Sequence, residues 1–480
     1  PHICVAPHIC ISPEYLAPTH MKTHLTTPLQ MDNRSLAPQS LAPHSHSFSF
    51  RTLGSRWVIH CELRRVVRMI ILVGFITCLV LTSLAATSHA ADPTTTVGIK
   101  SWLGFRGDGT SRASSAAPAR LDLGETGNLA WKLDMPGRSV AGPIVVGDLV
   151  VTTSSSGQDG EVLHVSGVNL QTGRLAWEQI FRATGRPFCH PTSANAAPSP
   201  ASDGQRIFAF FSSNDLVCLS LSGELLWYRG LGYDYPKAGN DVGMASSPVV
   251  VDGAVIVKVQ AQGDSFAAAI DAETGQNLWR IARPQMANWA SPLVITRPDD
   301  RNEIVIQSRE GVIAVDPRSG KTQWSTQEGG SAIPSPTSAA GLLILPSDEV
   351  IALNIGASAT APEVAWRNNK LSPRNASVVT SDDRLYSLKG SVLVAANLSD
   401  GKQIWQKRLA GLGSAWATPV LSENRLYIFD QSGKGLIVED QGEDAETIHE
   451  IELEQSVLGS PAIADGRLIV RGTNTLFCFE

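Results

Sequence analysis

Cysteine and histidine are the residues of this chain that could support nucleophilic or metal chemistry. The sequence holds 7 cysteines and 11 histidines, but most of them precede residue 91. Those that follow are His164, His190, His449, Cys189, Cys218 and Cys478. They form no Cys-x-x-Cys motif and no histidine cluster with metal-ligand spacing. The sequence therefore argues against a metal centre built on these residues.

Other catalytic patterns are also missing from the sequence. Cys189 and His190 are adjacent, and neighbouring side chains in an extended segment point to opposite sides. No Gly-x-Ser-x-Gly elbow, phosphate-binding loop or dinucleotide glycine fingerprint stands between a strand and a helix. We interpret His164 and His449 as ordinary strand residues. A net charge of −6 argues against a nucleic-acid surface, which needs clustered Lys and Arg.

The first ninety residues read as segments outside the folded domain. Residues 1–63 repeat "PHIC" and "LAP", and they suggest either a disordered extension or translation from a misassigned start codon. Residues 64–90 carry a basic start, an apolar run and a small-x-small ending, which predicts a signal peptide cleaved near Ala90. An uncleaved membrane anchor is the alternative, because the apolar run approaches spanning length. We expect export to the periplasm or cell envelope.

The rest of the chain is organised around a recurring tryptophan. It occurs at Trp131, Trp177, Trp227, Trp279, Trp324, Trp366 and Trp405. In five copies a glycine stands four residues earlier, at Gly173, Gly223, Gly275, Gly320 and Gly401. A period in the forties with strand-like composition predicts propeller blades of four short strands. Glycine suits the tight turn, and tryptophan offers the same contact at each joint, so we interpret both as structural.

Blade starts recur in phase with the tryptophans. We place them at Pro143, Pro198, Pro248, Pro292, Pro336, Asn375, Pro419 and Pro461, which makes eight. His449 takes the tryptophan position in one degenerate copy. The first tryptophan strand precedes the first blade start, so it would complete the last blade and close the ring. The sequence predicts an all-β, eight-bladed propeller over 126–480, with seven blades as the fallback and a lead-in over 91–125.

Two segments carry a family resemblance. "AAIDAETGQNLWRI" (268–281) resembles the tryptophan-docking repeat of the pyrroloquinoline-quinone (PQQ) propellers. "SWLGFRGDGTS" (101–111) resembles the lead-in of secreted bacterial propellers of this type. That superfamily contains quinoprotein alcohol dehydrogenases and the non-catalytic outer-membrane assembly lipoprotein BamB. The repeats are specific for the fold and unspecific for activity.

The resemblance also implies what an enzyme of this type would need. Quinoprotein dehydrogenases hold PQQ beneath a disulfide between adjacent cysteines, bind Ca²⁺ through Glu and Asn, and use an Asp base. No two cysteines are adjacent in this sequence. Asp234, Asn240 and Asp241 are present, but no matching motif assigns them to those roles. We therefore expect no catalytic residues and no cofactor.

Two consecutive connections between blades are longer than the rest, at 178–200 and 228–248. Neighbouring connections emerge side by side on one face of a propeller, and loops on rigid scaffolds often carry function. The candidate partner-binding residues there are Arg182, Arg186, Phe188, His190, Tyr233, Asp234, Tyr235, Lys237, Asn240 and Asp241. Aromatic residues mixed with arginine suit a protein contact. Self-packed loops that bind no partner are the alternative.

The sequence favours an exported, non-catalytic scaffold, similar to BamB, that binds another protein of the cell envelope. The alternative is a PQQ- and Ca²⁺-dependent dehydrogenase of alcohols or sugars. Nucleic acid is not an expected partner. Membrane association would arise through an uncleaved signal segment.

Overall fold

The structure, a computed structural model, describes residues 101–239, 242–356 and 361–480. The expected extension (1–63), the signal peptide (64–90) and the start of the lead-in lie outside these residues. The regular secondary structure of these residues is almost all β-strand, arranged in eight antiparallel sheets. No helical segment within the three ranges has the length and apolar character needed to cross a bilayer.

The first half of the described chain contains eighteen strands and a short helix, α1 (Leu231–Asp234). The strands are β1 (Ser101–Trp102), β2 (Leu129–Asp134), β3 (Ile144–Val146), β4 (Leu149–Ser156), β5 (Val162–Asn169), β6 (Leu175–Arg182), β7 (Ala201–Ser202), β8 (Arg206–Phe210), β9 (Asp215–Ser220), β10 (Leu225–Gly230), β11 (Val249–Val251), β12 (Ala254–Val259), β13 (Phe266–Asp271), β14 (Asn277–Ala282), β15 (Leu293–Thr296), β16 (Asn302–Ser308), β17 (Gly311–Val315) and β18 (Thr322–Thr326).

The second half contains fifteen further strands and one turn of 3₁₀ helix (Asn369–Leu371). They are β19 (Thr337–Ala339), β20 (Leu342–Pro346), β21 (Val350–Asn354), β22 (Glu363–Asn368), β23 (Val379–Thr380), β24 (Arg384–Lys389), β25 (Val392–Asn397), β26 (Gln403–Arg408), β27 (Val420–Ser422), β28 (Arg425–Phe429), β29 (Lys434–Asp440), β30 (Ala445–Glu452), β31 (Ala462–Ala464), β32 (Arg467–Arg471) and β33 (Thr475–Phe479).

Each sheet is one blade of a propeller. Blade 1 is β3–β6, with β1 added to its inner edge, and blades 2 to 7 take four consecutive strands each from β7 to β30. Blade 8 is β31, β32 and β33, with β2 as its outermost strand. The second strand of a blade, such as β12 (AVIVKV), is buried throughout because a neighbouring blade covers each face. Its β-branched residues suit that setting.

The N-terminal strand closes the ring. Strand β2 pairs antiparallel with β33, with Trp131 opposite Cys478 and Asp134 opposite Thr475. This pairing joins the first strand of the ring to the last, so the sheet edge of blade 8 is covered. The structure therefore confirms eight blades and closure by the N-terminal strand, rather than seven blades.

A ring of hydroxyl groups joins the blade starts around the central channel. At seven of the eight blade starts, the preceding residue donates its backbone N–H to the hydroxyl of the next blade, as from Ser247 to Ser291 at 2.9 Å. The step from blade 8 to blade 1 has no such bond, because Gly142 precedes blade 1 and has no hydroxyl. The acceptors are Ser199, Ser247, Ser291, Ser335, Ser377, Thr418 and Ser460. In blade 2 the residue at this position is Ser199, and blade 2 therefore starts at Pro200. The expected start at Pro198 was wrong by two residues because the sequence contains two prolines there. The expected start at Asn375 was wrong by three residues, because Ser377 places the start of blade 6 at Val378, where no proline marks it.

The repeated tryptophan and glycine meet across the joint between blades. The indole N–H of Trp279 donates to the carbonyl of Pro317 in the next blade at 2.8 Å. A Cβ on Gly320 would lie 2.6 Å from the Trp279 ring, and Gly320 has a φ of +67°. The same arrangement occurs for Trp131, Trp177, Trp227 and Trp366. Glycine thus provides both the turn and the flat surface on which the preceding tryptophan packs.

Two joints replace this contact with a buried ionic group. Trp324 donates to Glu303 Oε2 at 2.7 Å, and Glu303 pairs with Arg297 at 3.0 Å. Arg297 in turn donates to the carbonyl of Ile355 in blade 5. Trp405 donates to Asp440 at 3.1 Å in a similar group. These joints lack the glycine, and a charged side chain spans the gap instead.

His449 takes the tryptophan position in blade 7, as the sequence predicted. It lies opposite Ile437, where the register shifts as it does beside the tryptophans. Its Nε2 donates to the carbonyl of Leu121 at 2.6 Å. Leu121 belongs to the lead-in, which therefore supplies the surface that a following blade supplies elsewhere.

The lead-in also crosses the central channel. Strand β1 pairs with the inner edge of β3, and the carbonyl of Leu103 accepts from Ser202 in blade 2 at 2.8 Å. Further along, Ser111 and Ala113 bond to Leu421 in blade 7. The inner edges of inner strands face the channel, so residues 101–113, here called the channel segment, lie across it. The sequence motif had predicted a lead-in but not this path.

Candidate functional site

The two long connections lie together on one face of the ring. The first long loop (183–200) joins β6 to β7, and the second (231–248) joins β10 to β11. The backbone N–H of His190 donates to the carbonyl of Val242 at 3.0 Å. A Cβ on Gly232 would lie 2.8 Å from the Cα of Gly185, so the two backbones pack directly on each other. The predicted proximity of these loops is therefore present in the structure.

A buried carboxylate at the start of β9 anchors both loops. Asp215 accepts the backbone N–H of Thr184 in the first loop at 3.1 Å and the hydroxyl of Ser213 at 2.6 Å. It also accepts the phenol of Tyr228, immediately before the second loop, at 2.8 Å. Burial and the Asp215 charge raise the pKa of Tyr228 well above its usual value. Asp215 is the residue at this site that sequence reasoning missed, because its partner in the first loop, Thr184, is 31 residues away along the chain.

The loops expose several large apolar side chains. Tyr233 is 83% exposed and Phe188 is 50% exposed. Val242 and Met286, in the second loop and the following connection, are also exposed. The Arg186 guanidinium lies 5.0 Å from the centroid of the Phe188 ring. We call Phe188, Tyr233, Val242 and Met286 the apolar loop patch. Exposed apolar groups beside arginine are typical of protein contacts.

Other predicted residues bond within the protein. Asp234 accepts from Arg229 at 2.5 Å. The phenol of Tyr235 accepts from Asn277 at 2.7 Å, and its ring packs on Phe266 with centroids 4.8 Å apart. Asp234 thus ties the second loop to β10 of blade 2, and Tyr235 ties it to blade 3. They therefore support the loop rather than extend its exposed surface.

Four predicted residues remain, and the structure describes two of them, Arg182 and Lys237. Arg182, at the end of β6, lies 3.6 Å from the Glu161 carboxylate. Lys237 is exposed, and its carbonyl accepts from Asp264 at 3.1 Å. Asn240 and Asp241 lie outside the described residues.

A cleft of about 500 Å³ opens between the first long loop and the turn after β4. Arg138, Cys189 and His190 line it. Arg138 donates to the carbonyl of Pro191 at 2.6 Å, and the His190 ring bonds to Thr192 at 2.8 Å. Burial raises the pKa of the Cys189 thiol, and Arg138 partly offsets this. His190 is engaged by Thr192, so the cleft does not present a paired cysteine and histidine.

One polar chain on blade 1 has the order of a nucleophile, a base and an acid. Ser156 Oγ lies 2.7 Å from His164 Nε2, and His164 Nδ1 lies 3.0 Å from Glu178 Oε1. Similar separations occur in serine hydrolases. The His164 side chain is buried against the blade, and both of its ring nitrogens are satisfied by these contacts. These contacts account for a polar histidine buried inside a strand.

The described cysteines do not form the disulfide found in quinoprotein dehydrogenases. Cys189 lies in a loop, Cys218 in β9 and Cys478 in β33, and all three are free thiols. No group of three or more His, Cys, Asp or Glu in the described ranges is arranged to hold a metal ion. The adjacent-cysteine disulfide that the family resemblance implies therefore has no counterpart among these three cysteines.

Comparison with known proteins places the chain in a family. A family model described as outer membrane protein assembly factor BamB matches residues 104–326, 237–387, 355–441 and 388–479. The chain belongs to this BamB-type family of PQQ-like propellers. The match confirms the resemblance inferred from the repeat.

Curated relatives include both an outer membrane protein assembly factor and dehydrogenases. Over 294 residues the chain is 23% identical to outer membrane protein assembly factor BamB of Bordetella pertussis, covering 58% of this chain and 67% of that protein. Over 287 residues it is 23% identical to polyvinylalcohol dehydrogenase of Sphingopyxis sp., covering 50% of this chain and 41% of that protein. The chain thus spans less than half of the dehydrogenase.

Solved structures of both kinds share the fold. BamB from Moraxella catarrhalis superposes with a TM-score of 0.55 at 16% identity, covering 73% of this chain and 97% of that chain. Quinohemoprotein alcohol dehydrogenase from Comamonas testosteroni gives 0.56 at 14% identity, covering 80% and 81%. At these identities the likeness shows the eight-bladed architecture alone.

Proposed function

We propose that this protein is an exported scaffold that binds another protein of the cell envelope through its two long loops. The observation that carries the proposal is the apolar loop patch, held in place by Asp215 beneath the two loops. A structural role does not require Tyr233 and Phe188 to be exposed. The BamB-type family and the BamB relatives support a role in assembly at the envelope.

The chemistry of the patch suits a protein surface with apolar side chains. Aromatic rings lose little conformational entropy on binding, and Arg186 above Phe188 can contact a partner carbonyl or carboxylate. Because the two loops already pack on each other, they lose less conformational entropy on binding, and this favours affinity. The partner we propose is therefore a folded or extended envelope protein that buries apolar side chains against Phe188 and Tyr233.

A pair of variants tests this site in the full chain. Phe188→Asp with Tyr233→Asp should abolish chemical crosslinking to the partner in producing cells, because two charges would be buried in the contact. Leu175→Asp with Val364→Asp places the same charges at exposed outer-strand positions and serves as the control. Both proteins should unfold at wild-type denaturant concentration. Retention of every crosslinked species by the loop variant would refute the site.

A dehydrogenase is the second candidate function, favoured by the polyvinylalcohol dehydrogenase relatives. Its test is a thermal shift of the full chain with PQQ and Ca²⁺. Ligand at a hundredfold excess over its dissociation constant adds about 2.7 kcal/mol to the free energy of unfolding. A reproducible rise in melting temperature with alcohol-dependent dye reduction would favour the enzyme. An unchanged melting temperature would favour the scaffold function over the dehydrogenase function.

A further inference from the structure

The cleft beside the first long loop has walls that are held in place. One wall is the turn after β4, and the other is the part of the first loop that holds Phe188 and Cys189. Asn195 joins the walls, because its Nδ2 donates to the carbonyl of Gly160 at 3.0 Å while its Oδ1 accepts from the backbone of Ser213 at 2.8 Å. Asn195 is fully buried. A ligand therefore meets a preformed space of about 500 Å³.

Arg138 presents an unpaired positive charge to this cleft. Its backbone exchanges two hydrogen bonds of 2.8 Å with Ser155, and its Nη1 donates to the carbonyl of Pro191 at 2.6 Å. Arg138 forms no ion pair with a carboxylate of the described residues. Its Nε is buried without a partner, whereas Nη2, which also lacks an acceptor among those residues, is accessible. The guanidinium is thus fixed in position but still has a donor to offer.

His190 supplies a second donor. Its Nδ1 accepts the backbone N–H of Thr192 at 3.2 Å, so the neutral ring carries its hydrogen on Nε2. Nε2 has no hydrogen-bond partner in the described ranges. Burial raises the pKa of the Cys189 thiol and the Arg138 charge lowers it, so that charge acts inside the cleft. The cleft therefore combines a cation and a neutral N–H donor.

The described lining contains one acidic residue and one aromatic ring. Asp159 lies in the turn after β4 and is exposed, and Phe188 is shared with the apolar loop patch. A carboxylate that accepts from Arg138, with an apolar group beside it on Phe188, complements this arrangement. Hydrogen bonds between a guanidinium and a carboxylate are stronger than those between neutral groups.

We propose that the cleft binds an acidic side chain of the partner, whose adjacent apolar side chain packs on Phe188. The carboxylate accepts from Arg138 Nη2 and His190 Nε2. This inference rests on the proposed function and adds the chemistry of the partner segment, which is an Asp or Glu next to a large apolar residue.

Two alkylating reagents measure the preference of the cleft for a carboxylate, with Cys189 as the reporter. Iodoacetate carries a carboxylate and iodoacetamide a neutral amide, and both react with the thiolate. In the full chain at low ionic strength and pH 8, Arg138→Gln should lower the ratio of the iodoacetate rate to the iodoacetamide rate at least about threefold. The altered pKa of the thiol affects both rates alike and cancels in the ratio. An unchanged ratio, measured by peptide mass spectrometry, would overturn the proposal.

Arg174→Gln is the matched control. Arg174 is exposed between β5 and β6, at the opposite end of blade 1, and its removal changes the net charge equally. It should keep the wild-type ratio, and a fall equal to that of Arg138→Gln would refute the site. If Arg138→Gln fails to fold, the wild type is compared with 2-mercaptoethanol, a neutral free thiol. The Cys189 ratio should be higher at low salt and approach that of 2-mercaptoethanol in 1 M sodium chloride, where the Debye length is about 3 Å. A ratio no higher at low salt would contradict the proposal.

Protection of Cys189 by short peptides tests the source of the carboxylate. The probes are acetyl-Leu-Asp-Leu-amide, acetyl-Leu-Asn-Leu-amide and acetyl-Leu-Asn-Leu with a free C-terminus. The Asp peptide should slow alkylation by iodoacetamide at a concentration at least about tenfold lower than the Asn amide does. Stronger protection by the free C-terminus would replace the acidic side chain with a chain end, and no protection by any probe would overturn the proposal.

The two proposals can fail separately. If Phe188→Asp with Tyr233→Asp abolishes crosslinking but Cys189 shows no carboxylate preference, the scaffold function stands and the cleft is refuted. A carboxylate preference without any crosslinked partner would refute the scaffold function and the acidic partner segment with it.

Discussion

The joints between blades and the face that bears the long loops use aromatic residues in opposite ways. At the joints, Trp279 is buried, donates its N–H to the next blade and packs on a glycine. On the loop face, Tyr233 and Phe188 are exposed and have no repeated counterpart. A feature that recurs at most joints serves the ring. A feature that occurs once, on loops fixed by a buried carboxylate, is where we expect binding.

Thiol reactivity gives the largest expected contrast between these regions. Cys189, on the loop face, is half-buried, whereas Cys218 and Cys478 are fully buried within blades. Burial raises the pKa of both blade thiols to about 12. Native-state alkylation at pH 7, followed by peptide mass spectrometry, should modify Cys189 at least about a hundredfold faster, because the others react only after opening. Equal rates would mean that the blades open readily.

The same alkylation should depend on pH. Burial raises the pKa of Cys189 above its usual value, so little thiolate is present at neutral pH. Its rate should therefore rise about tenfold per pH unit up to and beyond pH 9. A rate that levels off near pH 7 would show a lowered pKa and contradict the burial of this thiol.

Removal of a docked tryptophan should give the largest loss of stability. Trp279→Ala deletes a buried indole and its hydrogen bond, which should lower the free energy of unfolding by about 3–5 kcal/mol. Trp416→Ala is the control, since Trp416 is 39% exposed near a blade start and should cost less than about 1 kcal/mol. Urea unfolding measures both. Similar losses for the two variants would contradict the docking account.

The joint between blades 4 and 5 should depend on both members of its ion pair. Glu303→Ala leaves Arg297 buried and unpaired, and should lower the free energy of unfolding by about 3 kcal/mol. Arg297→Met with Glu303→Leu removes both charges and should recover most of that loss. A double variant less stable than Glu303→Ala would show that the pair itself stabilises the joint.

Two glycine variants distinguish the role of glycine in the turn from its role as the surface on which a tryptophan packs. Gly390 has a φ of +63° and open space at its Cβ position, so Gly390→Ala should cost about 1 kcal/mol through backbone strain alone. Gly401 has a φ of +68°, and its Cβ would collide with the Trp366 ring. Gly401→Ala should therefore cost about 1–2 kcal/mol more. Equal losses in unfolding free energy would mean that the glycine serves only the turn.

Much of the architecture could be predicted because the repeat is local. The tryptophan spacing, the glycine turns and the order of the first strand were enough to predict eight blades and the closure by β2. Interactions distant along the chain were missed. Arg106 meets Pro336 across 230 residues. The Arg297–Glu303 pair was also missed, because no spacing rule connects a degenerate tryptophan copy with the residues that compensate for it.

The candidate site could be predicted only in outline. Loop length identified the two connections, and the structure packs them together. The predicted residues differ in exposure, since Phe188 and Tyr233 are exposed whereas Tyr235 packs against blade 3. A sequence pattern does not distinguish an aromatic residue that binds a partner from one that supports a loop. Both kinds of aromatic residue lie in polar segments. Only packing against a neighbouring blade determines which of them is buried.

The most direct test of the account is site-specific photo-crosslinking in intact producing cells. A photoreactive residue replaces Tyr233 on the loop face in one strain and Leu175 on an outer strand in another, since both side chains are exposed. The account predicts a discrete adduct with an envelope protein from position 233 and none from position 175. The absence of an adduct at 233, or the same adduct at both positions, would contradict binding through the loop face.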